Sequence, residues 1–297
     1  MMRGDVTRHW LAPLLAGAVA LAAVVTTALP AAGSTTSGAK SVSYLALGDS
    51  LAVGFQPDRV DTKQGYVDVL WRSMRQQING LKLQNVSCVG ETSRSMITGK
   101  KSECHYAAGS QLDAAVSFLK AHPGRVSFIT IDIGSNDLVD LCLDPHTGAI
   151  VKACAVNLRP QLQKRVTHIV KALSDAAGPG VPIVGMTYYD PFLGYWALVP
   201  GGRALARASQ QAWAVFDAGL ATAYRNVGAM VADVAKTFRV DDFTNTVLVP
   251  GRGRLPVNVA HACEWTWFCS TEFAGDPHAN GTGYKRIART FERKLES

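Results

Sequence analysis

The chain has 297 residues, 47% of them hydrophobic and 18% charged, with a formal net charge of +7. That length and apolar content suit a globular domain with a large core and exclude a disordered or fibrous chain. The positive charge is spread along the sequence, with no aromatic-interleaved basic patch, which argues against a nucleic-acid partner.

The N-terminus stands apart from the rest. Arg3 and Arg8 precede an uncharged stretch over residues 11–29, and small residues follow at Ala28, Ala31 and Ala32. This layout predicts a secretory signal peptide over residues 1–32. The competing reading is an uncleaved membrane anchor, which Pro13, Gly17 and the many alanines weaken. A Ser/Thr/Gly-rich stretch over 33–40 predicts a flexible linker, leaving a single folded domain over 41–297.

Within that domain strand-like and helix-like apolar patterns alternate. Residues 42–47 predict a first strand, and Tyr66, Val69, Leu70, Met74 and Ile78 form a helical stripe. A second strand is expected over 81–86, a helix around Leu112, Val116 and Leu119, and a third strand over 126–133. Leu162, Val166, Ile169, Val170 and Leu173 mark a long amphipathic helix. Strands over 181–186 and 230–234 flank a helix over 205–224. Tyr284, Ile287, Ala288, Phe291 and Leu295 stripe a final helix. Strands separated by helices of this length imply right-handed crossovers and a parallel sheet covered on both faces. Two segments, 189–202 and 238–275, show neither period; as long loops following strands, they are expected at the carboxyl edge of the sheet.

The first strand ends abruptly in Gly48-Asp49-Ser50-Leu51, which would put Ser50 at the edge where open α/β sheets bind ligands. Taken alone, such a serine also reads as a helix N-cap. Six cysteines fall into local pairs, Cys88 with Cys104, Cys142 with Cys154 and Cys263 with Cys269. Sequence cannot choose among the many pairings that six cysteines allow. Neighbour pairing is expected because each pair brackets a polar or Gly-rich stretch. No Cys-x-x-Cys or His cluster suggests a metal, so disulfides in an oxidising compartment are the better account. Lys285, Arg286, Arg289, Arg293 and Lys294 on the last helix form either a solvated face or a contact for anionic lipid and cell-wall surfaces.

Three further motifs follow the Ser50 turn in order: Gly90 within Cys88-Val-Gly-Glu-Thr92, Gly134-Ser135-Asn136-Asp137, and His278 within Asp276-Pro277-His278. In this spacing the folded part resembles the GDSL or SGNH hydrolase superfamily, and looks closest to its secreted actinobacterial lipases and esterases with three disulfides. The resemblance implies a three-layer α/β/α sandwich around a central parallel sheet of about five strands, of the flavodoxin-like type. It also implies roles: Ser50 as nucleophile, His278 as general base, and an oxyanion hole from the backbone N–H groups of Ser50 and Gly90 with the Asn136 side chain. The chemistry is coherent, because a serine hydroxyl needs a base within reach and the tetrahedral oxygen needs donors.

One departure from the family pattern concerns the third triad member. The usual Asp-x-x-His would place a carboxylate at position 275, where this chain has Gly275. Either Asp276 orients His278 or the Gly275 carbonyl does. His105, His122, His146, His168 and His261 have no matching context and are expected at the surface. Phe192, Leu193, Tyr195, Trp196 and Leu198, with Trp265, Trp267 and Phe268, are either ordinary core or an acyl pocket. The expectation is a secreted, monomeric lipase or esterase with no metal or organic cofactor, acting on ester or lipid substrates. The alternatives are a carbohydrate O-deacetylase using the same residues and a non-catalytic surface-binding protein.

Overall fold

In the computed structural model, which describes residues 42–58 and 62–297, the run Ser43–Leu47 forms strand β1 with all five residues buried. Burial on both faces is what a near-continuous apolar strand requires, and it places β1 inside a covered sheet. The expected signal peptide and linker (1–32 and 33–40) lie outside the described residues. Among the described residues no helix is long and apolar enough to cross a membrane.

After β1 come α1 (Ser50–Val53), α2 (Tyr66–Gln77), β2 (Lys82–Asn85), α3 (Ser93–Thr98), α4 (Gln111–Ala121) and β3 (Val126–Ile131). The second half runs α5 (Ser135–Cys142), α6 (Lys152–Ala177), β4 (Ile183–Met186), a 3-10 turn over Pro191–Gly194, α7 (Tyr195–Leu198) and α8 (Gly202–Arg225). It closes with β5 (Met230–Ala232), α9 (Val234–Phe238), β6 (Thr246–Val249), β7 (Gly253–Pro256), α10 (Val257–Trp265) and α11 (Gly281–Leu295).

Strands β1 to β5 form one parallel sheet in the order β2-β1-β3-β4-β5. The long helices sort into two packed groups, α2 with α11 and α4 with α6 and α8, giving the expected three layers. Their buried stripes carry the packing: Tyr66, Val67, Leu70 and Met74 on α2, and Tyr284, Ile287, Ala288 and Phe291 on α11. The Tyr66 and Phe291 rings stack at 4.8 Å where these two helices meet.

The strand order fixes where a ligand can sit. From β1 the chain moves outward to β2, then returns across β1 to β3 and continues away. The loops after β1 and β3 therefore diverge, and the crevice between them is the switch point of such a sheet. Gly48-Asp49-Ser50 follows β1 and Gly134-Ser135-Asn136 follows β3, so both motifs meet at that crevice.

The two segments expected to be irregular are more structured than their patterns suggest. Residues 189–202 hold the 3-10 turn and α7; residues 238–275 hold the antiparallel hairpin β6–β7 and α10. Helix α10 has no 3.6-residue period because Val257, Asn258, Val259, Ala260 and Ala262 are all buried. The hairpin escapes notice for the opposite reason: Thr246, Val247 and Leu248 are exposed. Disulfides join Cys88 to Cys104, Cys142 to Cys154 and Cys263 to Cys269.

Candidate active site

The turn that presents Ser50 leaves no room for a side chain at position 48. Gly48 has φ +150°, and a Cβ there would sit 2.0 Å from Asp132 Oδ1. Gln111 grips the backbone of Gly48 at both ends: its Oε1 accepts from Gly48 N at 2.7 Å and its Nε2 donates to Gly48 O at 3.1 Å. Asp49 caps α1 by accepting from Leu51 N at 3.0 Å, and its other oxygen accepts from Ser135 Oγ (2.8 Å) and Tyr188 OH (2.9 Å). Ser50 is thus the first residue of a short helix, 7% exposed.

His278 reaches this serine from the loop before α11. Its Nε2 lies 2.9 Å from Ser50 Oγ, and its Nδ1 lies 2.9 Å from Asp276 Oδ1. The same Asp276 oxygen accepts from His278 N at 2.9 Å, so one carboxylate oxygen holds both the backbone and the ring. Gly275, with φ +87°, donates its N–H to Phe268 O at 2.9 Å. The imidazole lies against Phe55, with ring centres 4.1 Å apart. Tyr189 OH donates to Pro277 O and Trp267 N to His278 O, each at 2.9 Å. The loop that carries His278 is therefore held on both sides of it.

Asn136 lies in the first turn of α5, and its Nδ2 donates to Glu91 O at 2.9 Å. That leaves one amide hydrogen of Asn136 for another acceptor. Asp137 ties the same turn to α3, accepting from Ser93 N (2.6 Å) and Ser93 Oγ (2.7 Å) and pairing with Arg165 at 3.4 Å. Gly90 is exposed with φ +70°, next to the Glu91 carbonyl that Asn136 grips. It does not line the cavity described below. Among the described residues the N–H groups of Ser50 and Gly90 have no hydrogen-bond partner.

Beneath the site is a set of buried carboxyls that sequence reading missed. Asp132 is fully buried, accepts from Tyr66 OH at 2.6 Å, and is pushed well up by burial and then by the nearby Asp49 charge. Glu91 is pushed up by burial, against hydrogen bonds that include those from Ser102 and Gln111. No local motif marks Asp132, whose partner Tyr66 lies 66 residues away, and Glu91 stands in the Gly90 motif without a role of its own there.

Asp190 caps the 3-10 turn, accepting from Phe192 N at 3.0 Å and Ser209 Oγ at 2.8 Å, while its Oδ2 is buried without a partner. Burial raises its carboxyl to about 7. A carboxyl whose pKa is raised by folding binds its proton more tightly in the native state. Stability from this group is therefore greatest in acid and falls as pH rises from about 4 to about 7, by an amount on the order of 4 kcal/mol. Asp190→Asn removes the titration. Thermal unfolding midpoints measured from pH 4 to 8 should fall more steeply for the wild type than for the variant; parallel profiles would contradict this assignment.

A cavity of about 110 Å³ opens beside Ser50, Asn136 and His278 and is walled by Val139, Tyr188, Tyr189, Pro191, Phe192 and Trp213. Of the aromatic and apolar residues that sequence offered as either ordinary core or an acyl pocket, Phe192 lines the cavity and the others do not. Leu193 and Phe268 are core, Trp196 stacks on Phe243 beside Arg203 and Arg207, and Trp267 donates to Gln56. Trp265 stacks on His261 at 3.7 Å. His261 is accordingly half-buried rather than at the surface, bonded through Nδ1 to Phe238 O, and burial lowers its pKa. His122 is also half-buried, against Phe118; His105, His146 and His168 are exposed. Among the described residues no cluster of three or more His, Cys, Asp or Glu could hold a metal ion.

Comparison with known proteins adds a family and a fold. A profile of the GDSL-like lipase/acylhydrolase family matches residues 46–286. The lipase Lip_vut3 from a goat rumen metagenome is 16% identical, with 86% of this chain and 97% of that one covered and a TM-score of 0.54. An extracellular lipase from Streptomyces rimosus is 15% identical, covering 86% and 100%, with a TM-score of 0.50. The acetyl xylan esterase AlAXEase is 10% identical, covering 85% and 98%, also at 0.50. At such identities the likeness is one of fold. No curated protein sequence matches the chain.

Proposed function

Because the chain belongs to the GDSL-like lipase/acylhydrolase family, we propose that it hydrolyses carboxylic esters through an acyl-enzyme on Ser50. The observation that carries this reading is the unbroken line of hydrogen bonds from Asp276 through His278 to Ser50, 2.9 Å at each step, ending at the wall of a cavity.

In this mechanism His278 Nε2 takes the Ser50 proton as Oγ attacks the ester carbonyl. Asp276 accepts from Nδ1–H, which fixes the tautomer and stabilises the imidazolium. Charge gathering on the carbonyl oxygen is met by the N–H groups of Ser50 and Gly90 and the remaining Asn136 amide hydrogen. Each such donor is worth on the order of 3 kcal/mol in the transition state. His278 then returns its proton to the leaving alcohol. Water, deprotonated by the same imidazole, attacks the acyl-enzyme and releases the acid. Burial and the Asp49 charge push the Asp132 carboxyl behind Gly48 well up, which disfavours a second negative charge beside Asp49 in the turn under Ser50.

Export to an oxidising compartment is part of the proposal; three disulfides support it, since such bonds persist there. A direct test uses diethyl p-nitrophenyl phosphate. Phosphorylation is expected to release one p-nitrophenolate per chain and to add the diethylphosphoryl mass to the peptide that contains Ser50. Absence of that label, or its appearance on another residue, would refute the assignment.

A further inference from the structure

We infer that the cavity beside Ser50 is the acyl pocket and that it selects short acyl chains, of about four to six carbons; the inference rests on the ester-hydrolase reading above. Three observations lead there. The cavity includes the reacting atoms, because Ser50, Asn136 and His278 are among the residues that line it. Away from the catalytic residues its walls are mostly hydrocarbon and ring faces, and Trp213 Nε1 is a buried donor there without a partner. Tyr188 OH and Ser135 Oγ donate to Asp49, and Tyr189 OH donates to Pro277 O. A sugar ring placed inside would find the Trp213 N–H for one hydroxyl and leave the others without partners, a heavy cost in such a site, whereas a hydrocarbon tail has no polar group to strand. The sugar, glycerol or other alcohol of the ester must then lie on the outer side of Ser50.

Size sets the chain length. A cavity of about 150 Å³ suffices for a benzene ring, and this one is about 110 Å³. Four to six carbons fill it. The aromatic part of the wall is tightly packed: Trp213 is 3% exposed and packs edge-on against Phe216 at 5.3 Å, and Phe192 is 6% exposed and packs edge-on against Phe268 at 5.6 Å. Phe192 is also pinned through its N–H to Asp190. A longer chain would have to displace these rings from a packed core, which is costly. Val139 on α5 lines the same cavity and is small enough for a larger side chain to take up its space.

The test is the dependence of kcat/KM on acyl length for p-nitrophenyl esters of two, four, six, eight and ten carbons, each assayed below its micelle concentration. For the wild type kcat/KM is expected to rise about fourfold per methylene from the acetyl ester until the pocket is full, and to fall at least tenfold by ten carbons. Val139→Phe fills the pocket and should move the optimum to the acetyl ester. Trp213→Ala deepens it and should move the optimum to eight or ten carbons; Phe192→Ala does the same if the tryptophan variant does not fold. A wild-type optimum at ten carbons would overturn the inference alone. So would a Val139→Phe enzyme slowed equally on every ester. Failure to cleave any ester would overturn the ester-hydrolase reading and this inference with it.

Discussion

Replacing Ser50 with alanine is expected to lower kcat for ester hydrolysis by about 10⁶-fold, while moving the thermal unfolding midpoint little. The loss follows from the proposed chemistry: without Oγ no acyl-enzyme forms, and His278 has no proton to take. Nucleophile deletions in enzymes with this machinery cost on the order of 10⁶ in kcat. The stability estimate follows from the local contacts. The Ser50 side chain makes one hydrogen bond, to His278 Nε2, and removing one hydroxyl beside an open cavity creates no buried void. Steady-state kinetics and a melting curve on the same preparation check both halves. Retention of more than a hundredth of the activity would remove Ser50 from the mechanism.

The second large effect is expected at Asp276. Asp276→Asn keeps a group of the same shape at the turn and preserves an acceptor for His278 N. It loses the negative charge that stabilises the imidazolium, and its amide can donate to Nδ1, which moves the ring proton to Nε2. The ring then cannot accept the Ser50 proton. In a Ser-His-Asp triad that change costs on the order of 10⁴ in kcat. Were the Gly275 carbonyl the orienting group, the backbone would be untouched and the loss should stay within about tenfold. The 2.9 Å contacts from Asp276 Oδ1 to both His278 N and His278 Nδ1 favour the large loss. Measuring kcat for this variant beside Ser50→Ala separates the two outcomes.

The division between what was readable in sequence and what was not follows the range of the interactions. The parallel sheet was readable because its inner strands β1, β3 and β4 are largely buried apolar runs and each long helix has one apolar stripe. Such patterns are local. Ser50, Asn136 and His278 could be picked out because each sits in a short motif at a strand end or before a helix. The contacts that place those motifs are not local. Gln111 reaches Gly48 across 63 residues, and Tyr188 reaches Asp49 across 139. Trp213 reads as one more apolar residue on a long helix, and only the packing of α8 beside the 3-10 turn turns it toward the cavity. The orienting group for His278 was undecidable for a different reason. Whether a carboxylate at position 276 can serve depends on the backbone turn through Pro277, and spacing alone does not specify that turn.

The three disulfides divide the labour of holding the molecule together. They close intervals of 16, 12 and 6 residues, and none of them joins two strands of the sheet. Cross-links over such short spans constrain an unfolded chain less than one spanning the domain would. Their effect is concentrated on what they enclose or anchor. The first brackets Gly90 and Glu91, the second ends the helix that begins beside Asn136, and the third brackets Thr266 and Trp267, which pair with Ala279 and His278. The sheet and its helices are thus kept by burial, which adapts to temperature and solvent. The rim around Ser50 and His278 is kept by covalent bonds, so its geometry answers to thiol chemistry while the core beneath it does not.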